Sequence, residues 1–353
     1  MKKVILTTGG TGGHIYPALA IAEELKKRGV ETLFIGTSLR MEKELVPKEG
    51  YRFLGYEIEP LRSLKSVIKM VKAFFAVYKV VKSENPDAVI GFGNYISFPA
   101  LMAAFLLKKK IYLQEQNVKM GLANKIFYRV AKKSFVSFDE TYEEMPLKYH
   151  DKIVAAGNPV RKDFFRIDRN FERDKLKIEK DEKMVLIMGG SLGAKSINGA
   201  VLKNIDDFID EKKVRLYWAT GKNNFQEINE KLGRIKNNDI VRPYFDNVSS
   251  IMAAADIVVC RAGASTISEL IALEKPSILI PYDYVGQMEN ANVLAKAGAA
   301  MVVPDEKADS AIELLFELVK DDEKLEDMKR KAKILKKGDA VSRIVEEMDI
   351  WRI

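Results

Sequence analysis

The stretch Thr7-Thr8-Gly9-Gly10-Thr11-Gly12-Gly13-His14 decides how the rest of the chain is read. A short apolar run, Val4-Ile5-Leu6, precedes it, and a helical pattern from Ile15 to Arg28 follows. Strand, glycine loop and helix in that order aim backbone N–H groups and the positive end of a helix dipole at one point. Such a point favours an anion, phosphate above all. The arrangement recurs half a chain later, where Met184-Val185-Leu186-Ile187-Met188 runs into Gly189-Gly190-Ser191-Leu192-Gly193-Ala194 and then into an apolar-periodic helix. Two such units, one opening each half, predict two similar α/β domains facing a shared cleft.

Length and composition set the bounds. A chain of 353 residues suits two domains, and a hydrophobic share of 47% lets each bury a core. The single cysteine, Cys260, excludes an internal disulfide and fits a reducing compartment. No signal peptide is expected, because the first residues enter a strand at once without a long apolar region. The longest nearly apolar run, from Tyr95 to Leu107, contains Ser97 and Pro99. It falls short of the ~20 residues a spanning helix needs. The formal charge of +8 fits a lysine-rich surface, an anionic lipid or a phosphate-bearing substrate. Nothing resembling a zinc, helix-turn-helix or RNP-like signature points to nucleic acid.

Outward from the first loop, Ala18, Leu19, Ala22 and Leu25 form a helical apolar face, with Pro17 placed in the first turn and Gly29 at the end. Thr32 to Ile35 is the next strand, which makes a βαβ unit and a parallel sheet. A short helix near Met41–Val46 and strands near 51–58, 87–90, 111–113, 135–136 and 153–155 follow, with helices near 97–107 and 121–131. The segment from Ser63 to Lys82 interleaves Val67, Ile68, Val71, Phe74 and Phe75 with Lys65, Lys69, Lys72, Lys79 and Lys82. It reads either as a sheet-packed helix with lysine stems turned outward or as an edge that dips into an anionic membrane surface. Gly157-Asn158-Pro159-Val160-Arg161 breaks the pattern, and the domains are placed at 1–159 and 160–353, the last helix being allowed to cross back. Strands are expected in the second half at 184–188, 214–218, 240–242, 257–259 and 277–280. Charged helices near Glu323–Leu335 and Ala340–Met348 close the chain.

The familiar phosphate signatures do not fit. Gly10 and Gly12 begin a G-x-G-x-x-G pattern, but Ile15 takes its third position, and Gly36-Thr37 stand where a dinucleotide site needs an acid. Gly189 to Ser196 spells a P-loop except that Ala194 replaces its second glycine, which argues against an NTPase. The two histidines, His14 and His150, form no ligand cluster, and no D-x-D pair would hold a magnesium diphosphate. No metal and no cofactor is therefore expected. A diphosphate would be met by helix N-termini, hydroxyls and arginine. Asn117, just past a strand end, either faces a ligand or caps a turn. Arg161 either clamps a diphosphate or makes a surface ion pair. In Cys260-Arg261-Ala262-Gly263-Ala264-Ser265-Thr266-Ile267-Ser268-Glu269, the small residues allow close backbone approach. Glu269 either binds a ribose diol or complements the helix dipole. Gln287 and Asn290 share a helical face that suits sugar hydroxyls or capping.

In this order, the motifs Gly9–His14, Glu115-Gln116-Asn117, Gly157–Arg161, Gly189–Ala194, Cys260–Glu269 and Gln287 with Asn290 resemble those of the MurG family over nearly the whole chain. These are peptidoglycan glycosyltransferases with a GT-B fold, two Rossmann-like doubly wound domains with parallel sheets about a central cleft. The resemblance implies inverting transfer of N-acetylglucosamine from UDP-N-acetylglucosamine (UDP-GlcNAc) to the muramoyl C4 hydroxyl of lipid I, an undecaprenyl-diphosphate-linked pentapeptide, giving lipid II. It places the donor in the C-terminal half. The acceptor and a peripheral contact with the cytoplasmic face of the bacterial plasma membrane fall to the N-terminal half. By motif matching, Glu269 would hold the ribose and the Phe245 backbone the uracil. Ser191, Arg161 and the turn of Ala264, Ser265, Thr266, Ile267 and Ser268 would surround the diphosphate. Gln287, Asn290 and Asn117 would address the sugar, and Gly10, Thr11, Gly12 and Gly13 would line the facing side. His14 is expected to be the general base. Gly286 stands where some relatives carry a polar residue. The rival readings are another GT-B lipid or natural-product glycosyltransferase and a noncatalytic nucleotide-binding scaffold.

Overall fold

A computed structural model describes residues 1–190, 192–211, 213–232, 240–282 and 286–348. The chain forms two compact units, one of Met1–Arg161 with Lys337–Ile353 and the other of Lys162–Lys336.

In the first unit the strands are β1 (Lys3–Thr7), β2 (Glu31–Thr37), β3 (Arg52–Tyr56), β4 (Ala88–Gly91), β5 (Lys110–Glu115), β6 (Lys133–Val136) and β7 (Ile153–Ala155). Helices α1 (Gly12–Lys27), α2 (Glu42–Lys48), α3 (Leu64–Glu84), α4 (Phe98–Leu106) and α5 (Leu122–Phe127) lie between them. The seven strands pair in the order β3-β2-β1-β4-β5-β6-β7, all parallel. Alternation along β1 divides the core. Val4 and Leu6 join a cluster with Ala18, Ile21 and Leu25 of α1, whereas Ile5 joins Val77 and Val81 of α3 and Leu101 of α4. Side chains on successive strand residues point to opposite faces, so helices cover both, as a buried parallel sheet requires.

Helix α3 starts at a capping box in which Ser63 and Ser66 satisfy each other's backbone N–H groups. It ends at Asn85 in the left-handed region, φ +45°. Pro17 falls in the second turn of α1, one turn later than expected.

The second unit comprises α6 (Arg169–Lys175), β8 (Lys183–Met188), α7 (Lys195–Lys203), α8 (Ile205–Asp210), β9 (Val214–Ala219), α9 (Phe225–Lys231) and β10 (Ile240–Arg242). It continues with α10 (Val248–Ala254), β11 (Ile257–Cys260), α11 (Ala264–Ala272), β12 (Ser277–Leu279), α12 (Gln287–Ala297), β13 (Ala300–Val302), α13 (Ala308–Leu318) and α14 (Asp322–Ile334). Its six strands run β10-β9-β8-β11-β12-β13, again all parallel. Strand β13 was not expected. It is three residues long and lies between Gly298, at φ +75°, and Pro304.

The last helix, α15 (Ala340–Glu347), belongs to the first unit. Ile344, Val345 and Met348 are fully buried in the cluster that contains α1, and the Tyr112 hydroxyl of β5 donates to the Met348 carbonyl at 2.9 Å. Replacing Ile344 with alanine should destabilise this unit by about 2–4 kcal/mol through the cavity it leaves. Peptide-resolved hydrogen exchange checks the outcome: α1 and β5 should lose protection while β8 and β11 keep theirs.

Candidate active site

Parallel strands deliver all their carboxyl ends to one rim, and in each unit the loops at that rim hold the residues singled out above. In the first unit the glycine loop joins β1 to α1. Gly10 has φ +93°, a backbone region that disfavours any side chain. Its N–H donates to Glu42 Oε2 at 3.1 Å, and Thr37 N–H donates to Glu42 Oε1 at 3.1 Å. Glu42, from α2, is fully buried. The acid missing from the end of β2 thus arrives from the next helix and faces inward, and the Gly10 amide is engaged by it. A Cβ on Gly9 would lie 2.0 Å from Glu42 Oε1, so that glycine makes room for a carboxylate of the protein itself. Asn94 Nδ2 donates to the Gly9 carbonyl from the other side.

His14 stands in the first turn of α1, partly buried. Its Nδ1 lies 3.2 Å from Thr11 Oγ1, and its carbonyl accepts from Thr8 Oγ1 at 2.7 Å. Burial lowers its pKa from 6.5 to about 4, so the imidazole is neutral at physiological pH.

At the end of β5, Glu115 is buried and accepts from Gly121 N–H at 2.8 Å, Asn124 Nδ2 at 2.9 Å and Asn117 N–H at 3.0 Å. Burial raises its carboxyl pKa, and these hydrogen bonds oppose the rise. Asn117 Nδ2 donates to Glu115 Oε1 at 3.3 Å, so Asn117 is held in a turn at the rim, partly exposed. The Arg161 guanidinium lies over the Tyr16 ring, 5.3 Å from its centroid. Gln114 Nε2 donates to Asn158 Oδ1 at 3.3 Å, linking the end of β5 to the segment after β7.

In the second unit, Gly193 (φ +87°) and Gly221 (φ +83°) meet backbone to backbone. A Cβ on Gly193 would lie 2.2 Å from the Thr220 carbonyl. Gly193 therefore serves this close approach between two loops, whereas a Cβ on Gly189 would meet Ala194 N at 2.5 Å and one on Gly190 would meet nothing within 4 Å. Ser191 lies outside the described residues, as do Asp283, Tyr284 and Val285.

Helix α11 begins at Ala264, directly after β11 and its short loop. Ser265, Thr266 and Glu269 are partly exposed. Ile267 is fully buried, and the Ser268 hydroxyl donates to the Ala264 carbonyl at 2.8 Å, so these two side chains face their own helix and core. Phe245, partly exposed after β10, packs against the Tyr217 ring at 6.0 Å. Gln287 Oε1 accepts from Tyr282 N–H at 3.2 Å. Asn290 is fully buried and donates to the Ala262 carbonyl at 3.3 Å. Both contacts are of the loop-holding kind that the sequence left open beside a sugar role.

Two residues carry more of the site than their positions suggested. Glu42 reads as an ordinary first-turn acid that suits a helix dipole. Arg261 stood within a motif without an assigned role. Its Nη1 donates to Ile280 O at 2.9 Å and Asp305 Oδ1 at 2.6 Å, and its Nη2 to Ser196 Oγ at 2.9 Å. The guanidinium lies 3.8 Å from the Tyr282 ring centroid. It ties the loop after β11 to the start of α7 and to the segment after β13. Among the described residues no group of His, Cys, Asp and Glu is arranged to hold a metal ion.

Two parallel-sheet units with glycine loops after their first strands make a two-domain Rossmann-like architecture. Comparison with known proteins agrees over the whole chain. Residues 4–136 match the glycosyltransferase family 28 N-terminal domain, and residues 184–344 match the family 28 C-terminal domain. A Fusobacterium nucleatum protein named UDP-N-acetylglucosamine–N-acetylmuramyl-(pentapeptide) pyrophosphoryl-undecaprenol N-acetylglucosamine transferase is 51% identical, covering 100% of this chain and 99% of its own. A Halothermothrix orenii protein of the same name is 37% identical over 94% of each chain. The crystal structure of Acinetobacter baumannii MurG superposes with a TM-score of 0.79 at 26% identity, covering 99% of both chains. The chain belongs to glycosyltransferase family 28 and, within it, to the MurG family.

The histidine is open to direct measurement. With two histidines in the chain, proton NMR should resolve one imidazole that titrates near pH 4 in the ligand-free protein. The unfolded chain takes up that proton near pH 6.5 and the folded chain only near pH 4. Acid between those values therefore favours unfolding, by ~3 kcal/mol once pH has fallen below both. His14→Asn should remove that part of the acid sensitivity, read from urea midpoints across pH.

Proposed function

We propose that this enzyme transfers N-acetylglucosamine from UDP-GlcNAc to the C4 hydroxyl of the muramoyl sugar of lipid I, forming lipid II in peptidoglycan synthesis. The observation that carries the reading is full-length identity of 51% to a relative named for that reaction. In this reading the second unit holds the donor. Glu269 accepts hydrogen bonds from the ribose, the Phe245 backbone meets the uracil, and the α11 amino end with Ser265 and Thr266 receives the diphosphate, the helix dipole favouring its charge. Gln287 and Asn290 shape the sugar pocket through the loops they hold.

The first unit receives the acceptor along Gly10–Gly13 and Asn117, and Arg161 contributes positive charge. As the acceptor oxygen forms its bond to the anomeric carbon, the bond to the UDP oxygen breaks and the configuration inverts. The hydroxyl proton passes to His14. If Nδ1–H donates to Thr11 Oγ1, Nε2 carries the lone pair for that proton. A pKa of about 4 keeps the imidazole free of a proton before substrate arrives, and an approaching acceptor diphosphate raises its basicity.

The lipid-borne acceptor gives the outer face of α3 a role. Leu64, Val67, Ile68, Val71 and Phe75 are exposed there, Phe75 at 59%, among the exposed Lys65, Lys72 and Lys79. Met70, Ala73, Val77 and Val81 occupy the opposite, buried face. Among the described residues no helix is long and apolar enough to cross a membrane. The face suits a peripheral contact with anionic lipid on the cytoplasmic side. Phe74 packs against the core instead, so only its neighbour belongs to this face.

An assay with UDP-GlcNAc and a short-chain lipid I analogue tests the reaction; donor hydrolysis without glycosylated product would overturn it. His14→Ala should lower kcat by roughly 10²–10⁴-fold and leave UDP affinity near normal. Unchanged turnover removes His14 from the mechanism. Val71→Ser with Phe75→Ser should reduce flotation with anionic liposomes, and undiminished flotation would argue against the α3 face.

A further inference from the structure

We propose that Glu42 is a positioning residue for this transfer, its buried carboxylate setting the path of the glycine loop and, through it, the place of His14. The inference rests on the function proposed above. Glu42 bonds two backbone amides that lie far apart in sequence, Gly10 and Thr37, each at 3.1 Å. Neighbouring backbone is shaped to admit it. A Cβ on Gly36 would meet Glu42 Cγ at 3.1 Å and the Thr8 carbonyl at 2.7 Å, and one on Gly9 would meet Glu42 Oε1 at 2.0 Å. Glu44, in the same first turn of α2, is exposed, so complementing the helix dipole does not explain why Glu42 alone is drawn inward.

A glycine-rich segment has more conformational freedom to lose than any other, and a loop that presents a catalytic group has to lose it before substrate binds. A carboxylate that accepts two amides in a buried place makes charge-assisted hydrogen bonds. It acts as an internal anion on a loop type that otherwise recruits one from solution. The Gly10 amide therefore serves the loop's own shape. His14 stands four positions beyond Gly10, anchored at its carbonyl by Thr8 Oγ1 and at its ring by Thr11 Oγ1. Both threonines lie in or next to the segment that Glu42 fixes. Displacing the carboxylate should loosen the loop and let water reach the imidazole.

The test uses the full chain with Glu42→Gln, which keeps the volume but turns an amide donor toward one of the two backbone donors, and with Gly9→Ala, which pushes a Cβ into the carboxylate. Folding is checked by circular dichroism and UDP binding. In both variants the His14 titration, read by NMR without substrate, should move from about 4 toward the ordinary 6.5. Turnover should fall about ten-fold or more, as a small displacement of a catalytic group does. UDP affinity, set in the other unit, should stay within about two-fold. Glu42→Asp, which keeps both acceptor oxygens, should recover part of the loss. An unchanged imidazole titration with unchanged kcat in either folded variant overturns the proposal. Failure of both to fold overturns it too, because Glu42 is then a folding residue only. Absence of transfer by the unsubstituted enzyme strikes the reaction assignment instead, and the substrate-free titration still reads the coupling of Glu42 to the loop.

Discussion

Parallel pairing is the constraint from which the arrangement of each unit follows. When every strand points the same way, every connection that leaves a carboxyl end starts at the same rim, whatever its distance along the chain. The hydrogen bonds record this gathering. Asn94, after β4, holds the Gly9 carbonyl after β1, and Glu42, after β2, holds the Gly10 amide. Gln114, at the end of β5, reaches Asn158 after β7. In the other sheet the Arg261 side chain, after β11, meets Ser196 at the start of α7 and Asp305 after β13. Residues more than 100 positions apart in sequence become neighbours through strand order, with the apolar interior doing no more than holding the strands in place.

At these rims, polar side chains are buried because they stand in for secondary structure. Loops that carry function cannot pair their backbone groups in a ladder, yet a buried unpaired group is costly. Glu42, Glu115, Asn290 and Arg261 take up those amides and carbonyls. The rims are thereby firm without being regular, which a group-transfer site needs if its reacting atoms are to meet repeatedly in one geometry.

Much of the architecture was legible because buried parallel strands are near-continuous apolar runs. Val4–Leu6 and Met184–Met188 announce β1 and β8 without ambiguity, and glycines after each mark the loops. Strand β13 was not legible because a strand of three residues, set between a left-handed glycine and a proline, makes too short a pattern. The positions of the glycines were readable, but their purposes were not. Gly9 is small for the sake of a carboxylate brought by α2, and Gly193 for the sake of the backbone at Thr220 and Gly221. Both contacts depend on tertiary pairing that local spacing does not encode. Ser268 shows the same limit: a hydroxyl in a helix can bond the carbonyl one turn back as readily as a ligand, and here it bonds Ala264. Glu42 was hidden by its own plausibility as a helix-start acid.

The return of α15 to the first unit bears on the order in which the two units can be completed. The second unit is one uninterrupted segment, Lys162–Lys336, while the first needs residues from both sides of it. During synthesis the α1 side of the half begun earlier lacks the cover of Ile344, Val345 and Met348 until the last helix emerges. The half begun later can close first. Nascent chains halted just short of Ala340 would accordingly contain a folded C-terminal unit beside an N-terminal one still exposing an apolar seam to chaperones and proteases.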